Sequence, residues 1–164
     1  MEIRDFCSKP FDLFNRGWAL VTAGNEESFN TMTVSWGSMG TLWNKPIITV
    51  YVKPIRYTSE FLKREEFFTV STYGNECKKA LALLGDKSGR DCDKVSESGL
   101  TPLFLENGVT FEEAQCTFVC KKIYAAPFIA ELVPEFAHEK YYTDEEEHIV
   151  FIGEVTEIIG GEKK

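Results

Sequence analysis

Histidine is scarce: His138 and His148 are the only two in 164 residues. A metal site is therefore not expected. The five cysteines, at positions 7, 77, 92, 116 and 120, do not supply one. Cys116 and Cys120 are four apart, which on a strand gives one face but the wrong separation for a closed zinc site. No apolar run approaches the length of a membrane span. The opening Met1-Glu2-Ile3-Arg4-Asp5 is charged and has no apolar stretch behind it, unlike a secretion signal. The expectation is a cytoplasmic protein with reduced thiols. Cys92, flanked by Arg90 and Lys94, is the candidate reactive thiol, with a passive thiol as the alternative. No G-x-G-x-x-G follows the first strand and no G-x-x-x-x-G-K-[ST] occurs, so two nucleotide-binding folds lack their signatures.

Basic charge is also short. The formal net charge is −8, and it is uneven. Residues 53–94 carry nine Lys or Arg against seven Asp or Glu, while the rest carries nine against nineteen. An acidic chain with one mildly basic segment is a poor nucleic-acid binder, because phosphate contacts dominate that affinity. It suits a discrete anionic ligand. The acidic run Asp144-Glu145-Glu146-Glu147 reads as a solvated turn.

Aromatic residues are plentiful: thirteen Phe, six Tyr and three Trp. They fit a β-rich core, a stacking surface for a flat ligand, or both. With no repeat and no Pro/Gly/Ser linker, one domain over 1–164 is the economical reading. Strands are expected at 18–23, 30–36, 47–52, 67–73, about 114–124 and 148–159, with Gly153 at a bulge or close approach. Residues 37–40 read as a flexible break and 43–46 as a turn. Helices are expected at about 58–64 and from an Asn75 cap to 84. Residues 85–94 read as a loop, with a helical turn as the alternative. Strands outnumber helices and regular crossovers are missing, so the fold class is mainly β with short helices, as an antiparallel barrel.

One junction concentrates the chemistry. In Lys53-Pro54-Ile55-Arg56-Tyr57-Thr58, Pro54 stops a β-branched strand and Thr58 is placed to cap the helix that follows. Lys53, Arg56 and a Thr hydroxyl would then converge on free backbone N–H groups, which suits a phosphate. A strand-to-helix turn with solvated charges is the plainer alternative. Two further segments join it: the hydroxyl-bearing face of 30–36, and Ser88-Gly89-Arg90-Asp91 with Lys94. In the latter, Gly89 would open a backbone anion nest and Arg90 would add a bidentate fork. Taken singly, a Thr face reflects strand propensity and Ser-Gly-Arg-Asp reflects a turn.

Taken in order, these segments resemble the flavin reductase-like, FMN-binding split-barrel family. The likeness runs through Asn30-Thr-Met-Thr-Val-Ser-Trp-Gly37, Trp43-Asn-Lys-Pro46, Tyr51-Val-Lys-Pro-Ile-Arg-Tyr-Thr58 and Phe67-Phe-Thr-Val-Ser71. It continues through Ser88-Gly-Arg-Asp91 with Lys94, and His148-Ile-Val-Phe-Ile-Gly-Glu-Val155. Residues 103–114 and 130–147 are not anchored by it. The resemblance implies a six-stranded antiparallel Greek-key split β-barrel, a homodimer, and FMN near the subunit interface. It implies that Asn30, Thr31, Met32, Thr33, Ser35 and Trp36 line the isoalloxazine and ribityl region. Arg56, Tyr57 and Thr58 would hold the phosphate, and Ser88, Gly89, Arg90 and Lys94 would close over it. His148 would lie near the flavin; a surface residue beside an acidic turn is the alternative.

The implied activity is electron transfer from NADH or NADPH, through FMN rather than FAD, to a small-molecule or protein acceptor. No general base is required, since a flavin carries the redox chemistry. A flavoredoxin-like electron carrier with little nicotinamide turnover, and a non-redox flavin-binding module, are the competing readings.

Overall fold

The computed structural model describes residues 1–143 and 146–161. Seven strands form one antiparallel sheet: β1 (Ala19–Gly24), β2 (Phe29–Val34), β3 (Gly37–Leu42), β4 (Lys45–Val52), β5 (Phe67–Thr72), β8 (Cys116–Pro127) and β9 (Ile149–Gly160). Their order is β2-β1-β5-β8-β9-β4-β3. A separate hairpin pairs β6 (Pro102–Leu105) with β7 (Gly108–Phe111). Among the described residues there are five short α-helices: α1 (Pro10–Asn15), α2 (Tyr57–Arg64), α3 (Lys78–Asp86), α4 (Lys94–Ser98) and α5 (Glu135–Tyr141). Among the described residues no helix is long and apolar enough to cross a membrane.

The strand order explains the shape. β2 and β3 are opposite edges, and laid flat they would lie roughly 29 Å apart, six strand spacings. Yet Val34 and Gly37 are three residues apart, which limits the gap to about 11 Å. The sheet must therefore curl until its two edges approach. They do not pair with each other, so the curl stays open. Phe14 of α1 lies against the start of β3, where a Cβ on Gly37 would fall 2.6 Å from its ring.

Two apolar clusters follow from this curl. Inside it, Val21, Met32, Val50, Phe68, Phe118 and Phe151 pack with Phe61 and Leu62 of α2. On the outer face, Leu20 and Phe111 pack with Leu81 and Leu84 of α3. With both faces covered, every residue of β1 is buried. Gly153 makes the expected close approach: a Cβ there would meet the Cys120 Cβ and the Phe68 ring, each at 2.6 Å. The β8–β9 ladder has two irregularities: an extra residue on β9, Thr156, opposite the Val119–Cys120 step, and an extra residue on β8, Ile123, just past the Lys122↔Gly153 pair.

Several expectations need correction. The sheet has seven strands rather than six, because 37–42 is a strand and not a flexible break. β3 pairs with β4 from Gly37↔Val50 to Leu42↔Lys45, around a tight turn at Trp43 and Asn44. Both turn residues have positive φ, 50° and 60°, the geometry that matches strand twist in a two-residue hairpin. Asn75 opens a single 3₁₀ turn ahead of α3 and makes no side-chain cap. α3 runs on to Asp86, and the expected loop ends at Lys94, where α4 begins, capped by Asp93, whose carboxylate accepts from Ser96 N at 3.1 Å. Asp144 and Glu145 of the acidic run lie outside the described residues.

Candidate functional site

A cavity of about 760 Å³ opens along the free edge of β2. Thirteen of the expected site residues line it: Asn30, Met32, Thr33, Ser35, Trp36, Lys53, Arg56, Tyr57, Thr58, Ser88, Arg90, Lys94 and His148. They come from β2, the β4–α2 junction, the loop after α3, and the start of β9. Thr31 and Gly89 do not. Thr31 faces the outer layer, where its hydroxyl bonds that of Thr22 at 2.7 Å. Strand alternation decides this, since the hydroxyl face of β2 turns away from the inside of the curl. Thr33 shares that face and donates to Leu81 O at 2.5 Å, but it lies nearer the open end. Gly89 borders a neighbouring cavity. Its backbone is not in the left-handed region, so it forms no nest of the expected kind. Its missing Cβ serves contact instead: one would meet Asn30 Oδ1 at 2.3 Å.

The cationic end is built on the C-terminus of α3. Arg56 Nη2 donates to Gly85 O. Lys94 Nζ donates to Leu84 O and Lys87 O, both at 3.0 Å. Helix C-terminal carbonyls attract cations, and here they hold two side by side. Lys94 is only 3% exposed. Burial, and then the Arg56 charge, pull its amine down to about 8. Two adjacent cations held by neutral carbonyls are what an anion would relieve.

Thr58 is not the helix cap. Arg56 occupies that position, with no side-chain cap, and the buried Thr58 hydroxyl accepts from Asn30 Nδ2 at 2.8 Å. Lys53 and Arg56 do not converge either. Lys53 Nζ reaches α5, donating to Tyr141 O at 3.0 Å. The Arg90 fork is occupied by protein: Nη1 donates to Ile55 O at 3.0 Å, Nη2 pairs with Glu60, and the guanidinium lies 4.8 Å from the Tyr57 ring centre. Arg90 thus clamps its loop onto α2. Ser88 Oγ accepts from Arg90 N at 3.2 Å, closing a local turn.

The opposite end is aromatic. Trp36 stacks edge-on against Tyr141 at 4.9 Å and lies 5.0 Å from the His148 ring. Tyr142 Oη and His148 Nδ1 are 2.9 Å apart. Tyr51 and Tyr141 join the lining, with Lys87 and Asp91 at the other end. The sequence reading placed Asp91 in a site segment without giving it a role, and did not assign Tyr51, Tyr141 or Lys87 to the site. α5 brings Tyr141, and its signals were Pro134 followed by Glu135 at a helix start.

Cys92 is not an activated thiol. Arg90 and Lys94 turn to the partners above, and burial, with Glu97 alongside, raises its pKa. All five cysteines are unpaired.

A family model for the flavin reductase like domain matches residues 11–164. The chain belongs to this family. Solved structures of similar fold include flavoredoxin from Methanosarcina acetivorans, at 20% identity and TM-score 0.71, over 89% of this chain and 69% of that one. An FMN-binding protein from Thermus thermophilus with bound p-hydroxybenzaldehyde has 21% identity and TM-score 0.70, over 88% and 71%. An NADH:FAD oxidoreductase from Streptomyces globisporus C-1027, in complex with NAD and FAD fragments, has 18% identity and TM-score 0.66, over 88% and 74%. No curated protein matches. Within a flavin reductase like domain, the cavity offers what a flavin mononucleotide asks for. A strand edge and aromatic rings form the walls, and a cation pair sits at one end.

Proposed function

We propose that the chain binds FMN in this cavity and acts as an oxidoreductase, passing electrons from NADH or NADPH to a small-molecule or protein acceptor. The observation that carries the reading is the Arg56–Lys94 pair, held by α3 carbonyls at one end of a cavity otherwise walled by β2 and aromatic rings. Bound FMN would supply hydride acceptance and onward electron transfer. Arg56 and Lys94 would hold the phosphate. The free edge of β2 would present backbone donors and acceptors to the polar rim of the ring system. Ser35 and Trp36 would flank it, and His148, braced by Tyr142, would border the space left for a second substrate. The test is an absorbance spectrum of the purified chain with the released chromophore identified by mass, followed by NADH and NADPH oxidation with free flavin, quinone and iron acceptors. A chain that stays colourless with FMN and FAD overturns the reading.

Net charge favours a second reading, a flavoredoxin-like carrier serving a basic redox partner. Flavin reduced only by a reduced ferredoxin, and not by NADH, would select it.

A homodimer belongs to the same proposal. Tyr124, Ile129, Leu132 and Phe136 are exposed on β8 and the segment through α5. Beyond Lys122, whose N–H donates to Glu66 O at 2.8 Å, β8 has no ladder partner on its β5 side among the described residues. An apolar face beside a free edge supports pairing of two copies. Five unpaired cysteines suit a reducing compartment, and we place the protein in the cytoplasm.

A further inference from the structure

We infer that the C-terminal end of α5, Tyr141 with the Tyr142 that follows it, is a gate over the aromatic end of the cavity. The ring system of the ligand enters and leaves through it; this rests on the flavin reading above.

The path of the chain places the gate. Between β8 and β9 the chain leaves the sheet and returns. The excursion is tied at its base, where Pro127 pairs with Ile149 and Phe128 N donates to His148 O at 3.0 Å. From Phe128 to Thr143 only Tyr142 is buried. Neither apolar cluster includes a residue of this stretch. Among the described residues, its hydrogen bonds and ring contacts to the rest of the chain end on four side chains or their backbone. Phe128 lies 5.6 Å from the Tyr51 ring and Tyr141 lies 4.9 Å from Trp36. Lys53 donates to Tyr141 O, and Tyr142 Oη meets His148 Nδ1. Tyr51, Trp36, Lys53 and His148 all line the cavity. The stretch is fastened to the site and not to the core.

Such a segment opens locally at little cost, because it gives up little apolar surface. A helix of seven residues has no stability of its own, and α5 buries no side chain along its length. The cationic end is held differently. There Arg90 latches the 88–93 loop to Ile55 O and Glu60. One end is latched by charge and the other is closed by ring edges, so the aromatic end is the one that opens. Phe136 lies about 140° round the helix from Tyr141, so a second copy seated there leaves the gate free.

Hydrogen exchange of the full chain and stopped-flow binding of FMN test this. Without flavin, amides of 138–142 should exchange at least about tenfold faster than those of 150–156. Ala137→Gly loosens α5, and Ala137 does not line the cavity. It should speed exchange at 138–142 about fivefold. FMN association and dissociation rates should rise together, about threefold or more, with affinity held within about twofold. A residue that merely supported bound flavin would raise the dissociation rate alone. Tyr142→Phe keeps the buried ring, removes only the hydroxyl, and should move both rates the same way. Exchange at 138–142 as slow as in β9, unchanged rates in Ala137→Gly, or a rise in dissociation alone overturns the gate and leaves the flavin reading standing. Binding of neither FMN nor FAD overturns the flavin reading itself, and this inference with it.

Discussion

Asn30 donates from Nδ2 to the hydroxyl of Thr58 at 2.8 Å, tying β2 to the first turn of α2. Both side chains are buried, at 4% and 1% exposure. Asn30→Ala leaves the Thr58 hydroxyl without this donor. The expected cost is about 1–3 kcal/mol of stability, read as a lower urea midpoint. Thr58→Val removes the other partner, and the double variant should cost less than the sum of the singles. A strictly additive cycle would show that the bond contributes nothing.

Arg56→Ala should weaken FMN binding by about 1.5–3 kcal/mol, the range for a charged hydrogen bond. Thr58→Ala should lose less, because its hydroxyl is already engaged with Asn30. Titration by flavin fluorescence checks both, and unchanged affinity in Arg56→Ala would remove Arg56 from the phosphate site.

Lys94 gives a pH dependence with two signs. Its amine, lowered to about 8, must be charged to attract phosphate. FMN affinity should therefore fall as pH rises through about 8. Stability without flavin runs the other way. From about 8 up to the ordinary lysine range the unfolded chain holds the proton that the folded chain releases, so this group adds stability as pH rises. Lys94→Arg, which does not titrate here, should flatten the affinity profile between about pH 7 and 9.5. A wild-type profile flat over that range would contradict the assignment.

Gly153→Ala places a methyl where Cys120 and Phe68 already lie. Overpacking of this kind costs about 1–3 kcal/mol. The melting temperature should drop while FMN affinity holds, since neither neighbour lines the cavity. An unchanged melting temperature would mean the core gives way there.

Leu132 and Phe136 are 76% and 72% exposed. If this face joins two copies, Leu132→Glu/Phe136→Glu should move the sedimenting species from dimer to monomer. A wild type that already sediments as a monomer would end the dimer proposal.

Much of the site was legible because it lies on contiguous runs. Arg56, Tyr57 and Thr58 sit where a proline-stopped strand meets a helix, and that pattern is local. The role of Thr31 was not legible. Whether an alternating hydroxyl face looks into the curl or out of it depends on what packs outside, here α3 and β7. The binding of Lys94 was equally hidden, because its partners are backbone carbonyls at the end of another helix, and carbonyls leave no trace in composition. β6 and β7 escaped anchoring although Glu106-Asn107-Gly108 is a hairpin turn signal. β3 was mistaken for a break because its two glycines, Gly37 and Gly40, read as punctuation. Gly37 is there to admit the Phe14 ring.

That admission makes the N-terminal helix a stopper. At the start of β3 the edge is covered by an aromatic ring and not by a ladder, so the contact has grip without directional bonds. Pull the stopper and the start of the β3 edge faces the solvent, a template for another chain. The first sixteen residues thus guard against self-association as well as completing the core. A truncated chain would be expected to clump before it lost its sheet.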